Sequence, residues 1–138
     1  MATPPRYMLD TNIASYIVRG PGQAVAARLR ALPMEQVCLS SITQGELLYG
    51  LARKPQATNL QTAVREFLAR IDVLTWGSEA ATHYGALRAG LEAAGTPLGN
   101  LDTLIAAHAL AADTILVTND LAFTRVPALA VENWTLQA

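Results

Sequence analysis

Cysteine and lysine are scarce in this chain of 138 residues, which contains one cysteine. With no second cysteine, Cys38 forms no intramolecular disulfide, and no cysteine cluster has the spacing of a zinc site. Lys54 is the only lysine, and no glycine precedes it in the Walker pattern. These absences exclude a disulfide scaffold, a thiolate metal site and a nucleotide-binding phosphate loop.

Long apolar runs are also absent from the sequence. No stretch approaches the ~20 residues that span a membrane, and the N-terminus lacks the charged and then apolar pattern of a signal peptide. The composition, 51 % hydrophobic and 15 % charged, is that of a globular protein. We expect one soluble domain over residues 1–138, located in the cytoplasm, with Cys38 as a small core residue.

Short apolar segments alternate with helical segments along the chain. The strand-like segments lie at residues 6–9, 37–39, 73–76, 115–117 and 130–131. Segments with helical periodicity separate them, and these connections are too long for β-hairpins. The alternation predicts an α/β domain with a mainly parallel sheet and helices on both faces.

Two aspartates follow predicted strands, and a third lies at the start of a helix. Asp10 comes directly after the first strand, Asp120 comes just past the fourth, and Asp102 lies in a first helical turn. In open α/β sheets, ligands bind in the crevice outside the carboxyl ends of the strands. Taken alone, each aspartate is more typical of a helix cap or a turn, so a site requires further acids.

A fourth acid, Glu46, lies on a helix that is predicted to begin at a capping box. In that box Ser41 is the N-cap and Gln44 reaches back to it. Glu46 shares a partly apolar helical stripe with Tyr49 and Arg53. Because a buried carboxylate is costly without a partner, either Arg53 pairs with Glu46 or a metal ion does.

Together the four acids are typical of a site for a hard divalent cation. Clustered carboxylates repel one another, and Mg²⁺ or Mn²⁺ takes oxygen ligands while it keeps several waters. Such an ion activates water and neutralises charge on a phosphodiester during an in-line displacement. The polar neighbours that could orient carboxylates or water are Thr11, Asn12, Thr118 and Asn119.

Other functions would use some of the same residues. A phosphatase with Asp10 as nucleophile usually needs a second acid two residues later, where this chain has Asn12. A receiver-type signalling domain also gathers acids at strand ends, but it needs a lysine near a late strand, and none follows Lys54. Metal-free ribonuclease chemistry needs paired histidines, whereas His83 and His108 lie apart from the acidic motifs. His108 is instead predicted to be a packed or helix-face residue.

Nine of the ten basic residues are arginines, which favour planar, bidentate contacts with phosphate. A nucleic-acid partner and a GC-rich genome both account for this bias. The arginines on the helices nearest the first two acidic motifs are Arg19, Arg28, Arg30 and Arg53. We hypothesise that they include phosphate contacts.

Four motifs in this order and spacing resemble the PIN domain, and in particular the VapC-type toxin nucleases of bacterial toxin–antitoxin pairs. They are Met8–Asn12, Ser40–Leu47, Asp102 with Ile105–Ala109, and Leu116–Asp120. The resemblance extends over nearly the whole chain, including Arg125–Pro127 and Glu132–Trp134.

The resemblance implies a Rossmann-like α/β/α fold, Mg²⁺- or Mn²⁺-dependent cleavage of RNA, a homodimer, and inhibition by a small antitoxin protein. It also implies site residues. The acidic ligands would be Asp10, Glu46, Asp102 and Asp120, with Thr118 as the hydroxyl beside the last acid and Asn12 as a helper. One departure is that the segment from Asp120 to Phe123 is one residue shorter than in close relatives, which often carry Asn in place of Asp120.

Overall fold

The predicted alternation of strands and helices is confirmed by the structure, a computed structural model that describes residues 4–136. Residues 1–3 and 137–138 of the predicted domain lie outside the described residues. The strands are β1 (Tyr7–Leu9), β2 (Val37–Ser40), β3 (Asp72–Leu74), β4 (Ile115–Val117) and β5 (Val131–Glu132). The α-helices are α1 (Thr11–Arg19), α2 (Gln23–Arg30), α3 (Ser41–Arg53), α4 (Thr58–Arg70), α5 (Ser78–Ala93) and α6 (Asn100–Ala111). Short 3₁₀ helices span Met34–Gln36 and Leu121–Arg125.

The five strands form one sheet in the order β3-β2-β1-β4-β5, and every neighbouring pair is parallel. The chain moves outward from β1 through β2 to β3, and then crosses to β4 on the other side of β1. This reversal makes a switch point between β1 and β4. At such a point the connections leave in opposite directions, so a crevice opens at the carboxyl ends of the strands.

Successive side chains of each strand enter two different hydrophobic cores. Tyr7 and Leu9 pack with residues of α1 to α4, whereas Met8 packs with residues of α5 and α6. Cys38 lies in the second core as predicted, and its burial raises the pKa of the thiol to about 11. Helices therefore cover both faces of the sheet, which explains the continuous apolar strand sequences. Within residues 4–136, no helix has both the length and the apolar character needed to cross a membrane.

Helix α6 connects to β4 through a tight turn. Asp113 adopts a left-handed conformation with a φ of 54°, and its N–H donates to the Leu110 carbonyl at 3.2 Å. The chain then reverses into β4, so α6 and β4 are antiparallel. As a result, Asp102 at the start of α6 lies at the edge of the sheet where the strands end.

Helix α3 begins directly after β2, without a connecting loop. Ser40 is the N-cap, and its Oγ accepts a hydrogen bond from the Ile42 N–H at 3.1 Å. The prediction of Ser41 as N-cap is wrong, because Ser40 still has the extended backbone of a cap residue while Ser41 is already helical. The Ser41 hydroxyl instead accepts a hydrogen bond from the Trp76 N–H at 3.0 Å.

Two polar contacts tie the start of α3 to α6. The Nδ1 atom of His108 lies 2.7 Å from the Ser40 Oγ, and the Trp76 Nε1–H donates to the Leu104 carbonyl at 2.9 Å. His108 is buried, which confirms its prediction as a packed residue. These contacts connect the two helices that carry predicted site acids.

Candidate active site

Three of the four predicted acids converge where β1, β4 and α6 meet. Burial is the largest cause of the raised pKa of Asp10, and the charges of Asp102 and Asp120 raise it further. Burial also raises the pKa of Asp102, and the charge of Asp120 adds to that effect. The three carboxylates are therefore close enough to repel one another across one site.

Asp10 is the most deeply placed of these acids, with 4 % of its surface exposed. Its Oδ1 accepts a hydrogen bond from the Ile13 N–H at 2.8 Å, which makes it the N-cap of α1. Its own N–H donates to the Val117 carbonyl at 3.0 Å and so extends the pairing of β1 with β4. Asp10 is both a cap and a site acid, and these contacts hold its carboxylate in one orientation.

The Thr118 hydroxyl links Asp10 to Asp120. Its interaction with the Asp10 carboxylate lowers the pKa of Asp10, and its Oγ1 accepts a hydrogen bond from the Asp120 N–H at 3.0 Å. One oxygen of Asp120 caps the following 3₁₀ helix by accepting from the Ala122 N–H at 2.9 Å. Its other oxygen has no hydrogen-bond partner among residues 4–136, so it is available to a ligand.

Asp102 lies in the first turn of α6 and is half-buried. The helix N-terminus favours a negative charge, yet burial and the charge of Asp120 raise the pKa of Asp102. Its carboxylate accepts no hydrogen bond in the part of the chain that the structure describes. The residue therefore carries a repelled charge that the fold leaves without a partner.

Glu46 lies on α3, and its charge is not among those that raise the pKa of Asp10 or Asp102. It is half-buried and lines a groove together with Thr11, Arg19, Tyr49 and Arg53. Arg53 does not pair with it, because the guanidinium lies over the Tyr49 ring, 5.6 Å from the ring centroid. Within residues 4–136, Glu46 forms no ion pair. The alternative prediction, in which Arg53 pairs with Glu46, is therefore wrong.

Asn12, predicted to assist the acids, is exposed and makes no side-chain hydrogen bond within the described residues. Thr11 makes the connection toward Glu46 instead, since its Oγ1 lies 3.3 Å from the Oγ1 of Thr43. Thr43 is buried and precedes Glu46 by three residues, so both lie on one face of α3. Sequence reasoning missed Thr43, although this spacing from Glu46 was the available signal.

Comparison with known proteins places this chain in a family. The model of the PIN domain matches residues 7–129. The chain belongs to the PIN-domain family. A curated relative from Shigella flexneri, named tRNA(fMet)-specific endonuclease VapC, is 42 % identical over 132 residues, with 94 % of this chain and 98 % of the relative covered. The protein is thus a PIN domain of the VapC type.

Solved structures of VapC relatives share the fold of this PIN domain. DNA-bound VapBC from Salmonella typhimurium matches with a TM-score of 0.88 and 34 % identity, over 95 % of this chain and 99 % of that one. VapBC2 from Rickettsia felis, bound to a DNA fragment from its promoter, matches with a TM-score of 0.86 and 36 % identity, over 93 % and 98 %. Both matches confirm the predicted α/β fold over nearly the full length.

The acids of this PIN domain fit a hard cation by their chemistry. Their donors are carboxylate oxygens, two of the carboxylates have a raised pKa, and one oxygen of Asp120 is free among the described residues. Within residues 4–136, no three acidic, histidine or cysteine side chains are grouped tightly enough to enclose an ion. Mg²⁺ commonly binds through one or two carboxylates and keeps several waters, so this spacing suits it better than a full protein cage.

Arg28 differs from the other arginines that were predicted to contact phosphate. It pairs with Glu132 at 2.6 Å, and its guanidinium lies 5.3 Å from the centroid of the Trp134 ring. Arg19 and Arg53 line the groove beside Glu46. We therefore keep the phosphate-contact hypothesis for Arg19, Arg30 and Arg53, which form no ion pair within residues 4–136, whereas Arg28 already has a partner.

The raised pKa values predict how the stability of the metal-free PIN domain depends on pH. Asp10 and Asp102 titrate at higher pH in the folded state than in the unfolded chain. As pH rises through that window, the unfolded chain loses these protons first, so the free energy of unfolding falls. We expect the stability advantage of Asp102→Asn over the parent protein, measured by urea unfolding with chelator, to grow between about pH 4 and pH 7. An advantage that is constant across this range would contradict the raised pKa.

Proposed function

We propose that this protein is a Mg²⁺- or Mn²⁺-dependent endoribonuclease that acts as the toxin of a toxin–antitoxin pair. The observation that carries the proposal is the convergence of Asp10, Asp102 and Asp120 at the switch point of the sheet, in a PIN domain. A named ribonuclease with 42 % identity over nearly the whole chain supports the choice of RNA as substrate. That relative is described as specific for tRNA(fMet), and we infer a structured RNA such as a tRNA here.

The chemistry follows from which groups face the crevice. We assign Asp10, Asp102 and Asp120, with Glu46 at their side, to hold the cation, which when bound supplies water activation and charge neutralisation at the phosphodiester. Thr118 keeps the Asp10 carboxylate oriented while it also holds the backbone of Asp120. Outer hydrogen bonds around such sites usually hold the ligands in one orientation, so the carboxylates need no reorganisation when RNA binds. Asn12 is exposed beside Asp10 and is proposed to contact water or substrate.

We infer that the partner proteins are a small antitoxin and a second copy of this chain. The solved relatives from Salmonella and Rickettsia are VapBC assemblies bound to DNA. Because the fold and length of this chain match theirs over at least 93 %, it is suited to the same kind of assembly. We also place this protein in the cytoplasm, where RNA is available to a toxin.

Cleavage of RNA is expected to require an added divalent cation. The purified chain is incubated with a panel of tRNAs and rRNA, with Mn²⁺, with Mg²⁺ or with excess chelator, and the cut sites are mapped. We expect defined cuts with either cation and none with chelator, because all the candidate ligands are oxygen donors. Asp102→Asn, purified in parallel, controls for contaminating ribonucleases. The metal mechanism would be refuted if the parent protein cleaved RNA undiminished in chelator while the Asp102→Asn preparation did not cleave it.

A phosphomonoester assay run beside this experiment tests one alternative function, and the position of Lys54 argues against the other. Rapid turnover of a small phosphomonoester with RNA left intact would favour the phosphatase, which would use Asp10 as nucleophile. A receiver domain needs a lysine beside its acids, but Lys54 lies at the C-terminal end of α3, opposite the end that begins at the sheet edge. The nuclease is therefore the function that the site geometry supports best.

A further inference from the structure

A groove lies beside Glu46 on the face of the protein formed by α1, α3 and α4. We call it the α3 groove; its volume is about 210 Å³, and its polar lining comprises Thr11, Ser15, Arg19, Glu46, Tyr49 and Arg53. Thr11 lines this groove and directly follows Asp10 in the chain, so the groove lies next to the candidate active site.

Tyr49 presents its ring to solvent in this groove. It is 57 % exposed, so it contributes little to the hydrophobic core. It follows Glu46 by three residues, which places both side chains on the same face of α3, about one turn apart. A large aromatic surface is thus held next to a site acid on a rigid helix.

The groove also carries positive charge that the described residues do not neutralise. The Arg53 guanidinium lies over the Tyr49 ring, and neither Arg53 nor Arg19 forms an ion pair within residues 4–136. The Arg19 Nε–H donates instead to the Ser15 hydroxyl at 3.2 Å. Arg28, by contrast, is paired with Glu132.

We propose that Tyr49 and Arg53 form a stacking subsite for an unpaired RNA base next to the cleaved phosphodiester, with Arg19 beside the neighbouring phosphate. The proposal rests on the proposed nuclease function and adds a substrate contact to it. Unpaired bases stack on aromatic rings and on guanidinium planes, and arginines attract the adjoining phosphates. An exposed ring and a planar cation, stacked on each other beside an acidic site, supply both kinds of contact.

The subsite is tested by binding of short single-stranded ribo-oligonucleotides that carry one 2-aminopurine at successive positions. The full-length protein is titrated in chelator, and stacking is read as quenching of the 2-aminopurine fluorescence. We expect quenching at one position for the parent and for Tyr49→Phe, which keeps the ring. Tyr49→Leu, which keeps apolar bulk but no aromatic plane, is expected to lose the quenching and to bind about tenfold more weakly.

Two further variants separate stacking from charge. Arg53→Lys keeps the charge and is expected to retain the salt dependence of binding but to quench less. Arg53→Gln is expected to flatten the slope of log K against log salt by ~0.7. Tyr16→Leu is the matched control, because Tyr16 is 43 % exposed but does not line the groove, and it is expected to leave binding and quenching unchanged. Thermal melts of all variants check that each one is folded.

The outcomes distinguish the subsite from the nuclease function. Quenching that survives in folded Tyr49→Leu, or that Tyr16→Leu reduces equally, overturns the subsite even if Mn²⁺-dependent cleavage is intact. If a protein segment occupies the groove instead of RNA, the 2-aminopurine quenching would likewise be unchanged in Tyr49→Leu. Quenching that depends on Tyr49 in a protein that cleaves no RNA with Mn²⁺ supports base stacking on Tyr49 but refutes the nuclease function.

Discussion

Asp102→Asn is expected to abolish RNA cleavage while it makes the metal-free protein more stable. The parent protein holds Asp102 near Asp120 and Asp10, and the repulsion raises the pKa of Asp102 beyond the effect of burial. Two carboxylates ~6 Å apart at an effective dielectric constant of ~20 repel by ~3 kcal/mol before relaxation and protonation. Because Asp102 is only half-buried, we expect a gain of ~1 kcal/mol in the free energy of unfolding.

Thermal melts and urea unfolding of both proteins, with chelator and with Mn²⁺, measure this effect. Stabilisation by a ligand depends on its affinity for the folded state, so the variant should gain less from Mn²⁺ than the parent does. If the only role of Asp102 were its favourable interaction with the dipole of α6, Asp102→Asn would lower the free energy of unfolding by about a few tenths of a kcal/mol, the lower end of the dipole effect. A destabilised variant that still responds fully to Mn²⁺ would mean that Asp102 is a helix-start acid and not a site residue.

Asp10→Asn and Asp10→Ala are expected to lose cleavage equally but to differ in stability. Loss of an outer contact at a metal site costs ~10- to 100-fold in activity, so loss of a carboxylate that holds the ion should cost ~100-fold or more. Asparagine keeps an oxygen that accepts from the Ile13 N–H and removes the charge that Asp102 and Asp120 repel. Alanine removes the α1 cap, at a cost of ~1 kcal/mol, and removes the interaction of the Asp10 carboxylate with Thr118.

Single-turnover cleavage with Mn²⁺ and unfolding in chelator give the two readouts for Asp10. We expect Asp10→Asn to unfold at a urea concentration equal to or above that of the parent, and Asp10→Ala at a lower one. Cleavage that survives in Asp10→Asn would assign Asp10 to the helix cap alone. Equal stability of the two variants would show that the cap hydrogen bond contributes nothing measurable.

Much of the fold was predictable because the local signals agree with the tertiary structure. The apolar strand segments were short and separated by long helical connections, and a parallel sheet buried on both faces is the arrangement that suits such a pattern. Asp10 directly follows β1 and Asp120 comes three residues after the end of β4, so their location at the carboxyl-end edge follows from the chain direction. His108 was predicted as a packed or helix-face residue because it lies apart from the acidic motifs, and it is buried.

Other features required long-range packing that no local pattern contains. The identity of the N-cap of α3 depended on how far β2 pairs with β3, and that pairing extends to Ser40. Arg28 and Arg53 are indistinguishable as exposed helical arginines in the sequence, but β5 brings Glu132 to Arg28 while Arg53 meets only the ring of Tyr49. Thr43 acquires its place beside Thr11 only because α1 and α3 pack against each other.

The sequence by itself determined the four acids, their positions at strand ends and helix starts, and the family, because these depend on residue type and spacing along the chain. The tertiary structure alone decided the strand order, with β4 beside β1, and hence which acids meet. The acids Asp10, Asp102 and Asp120 repel one another, whereas Glu46 lies in the α3 groove beside Tyr49 and Arg53. The physical reason is that strand order is set by how the helices cover both faces of the sheet, and that packing involves residues far apart in sequence.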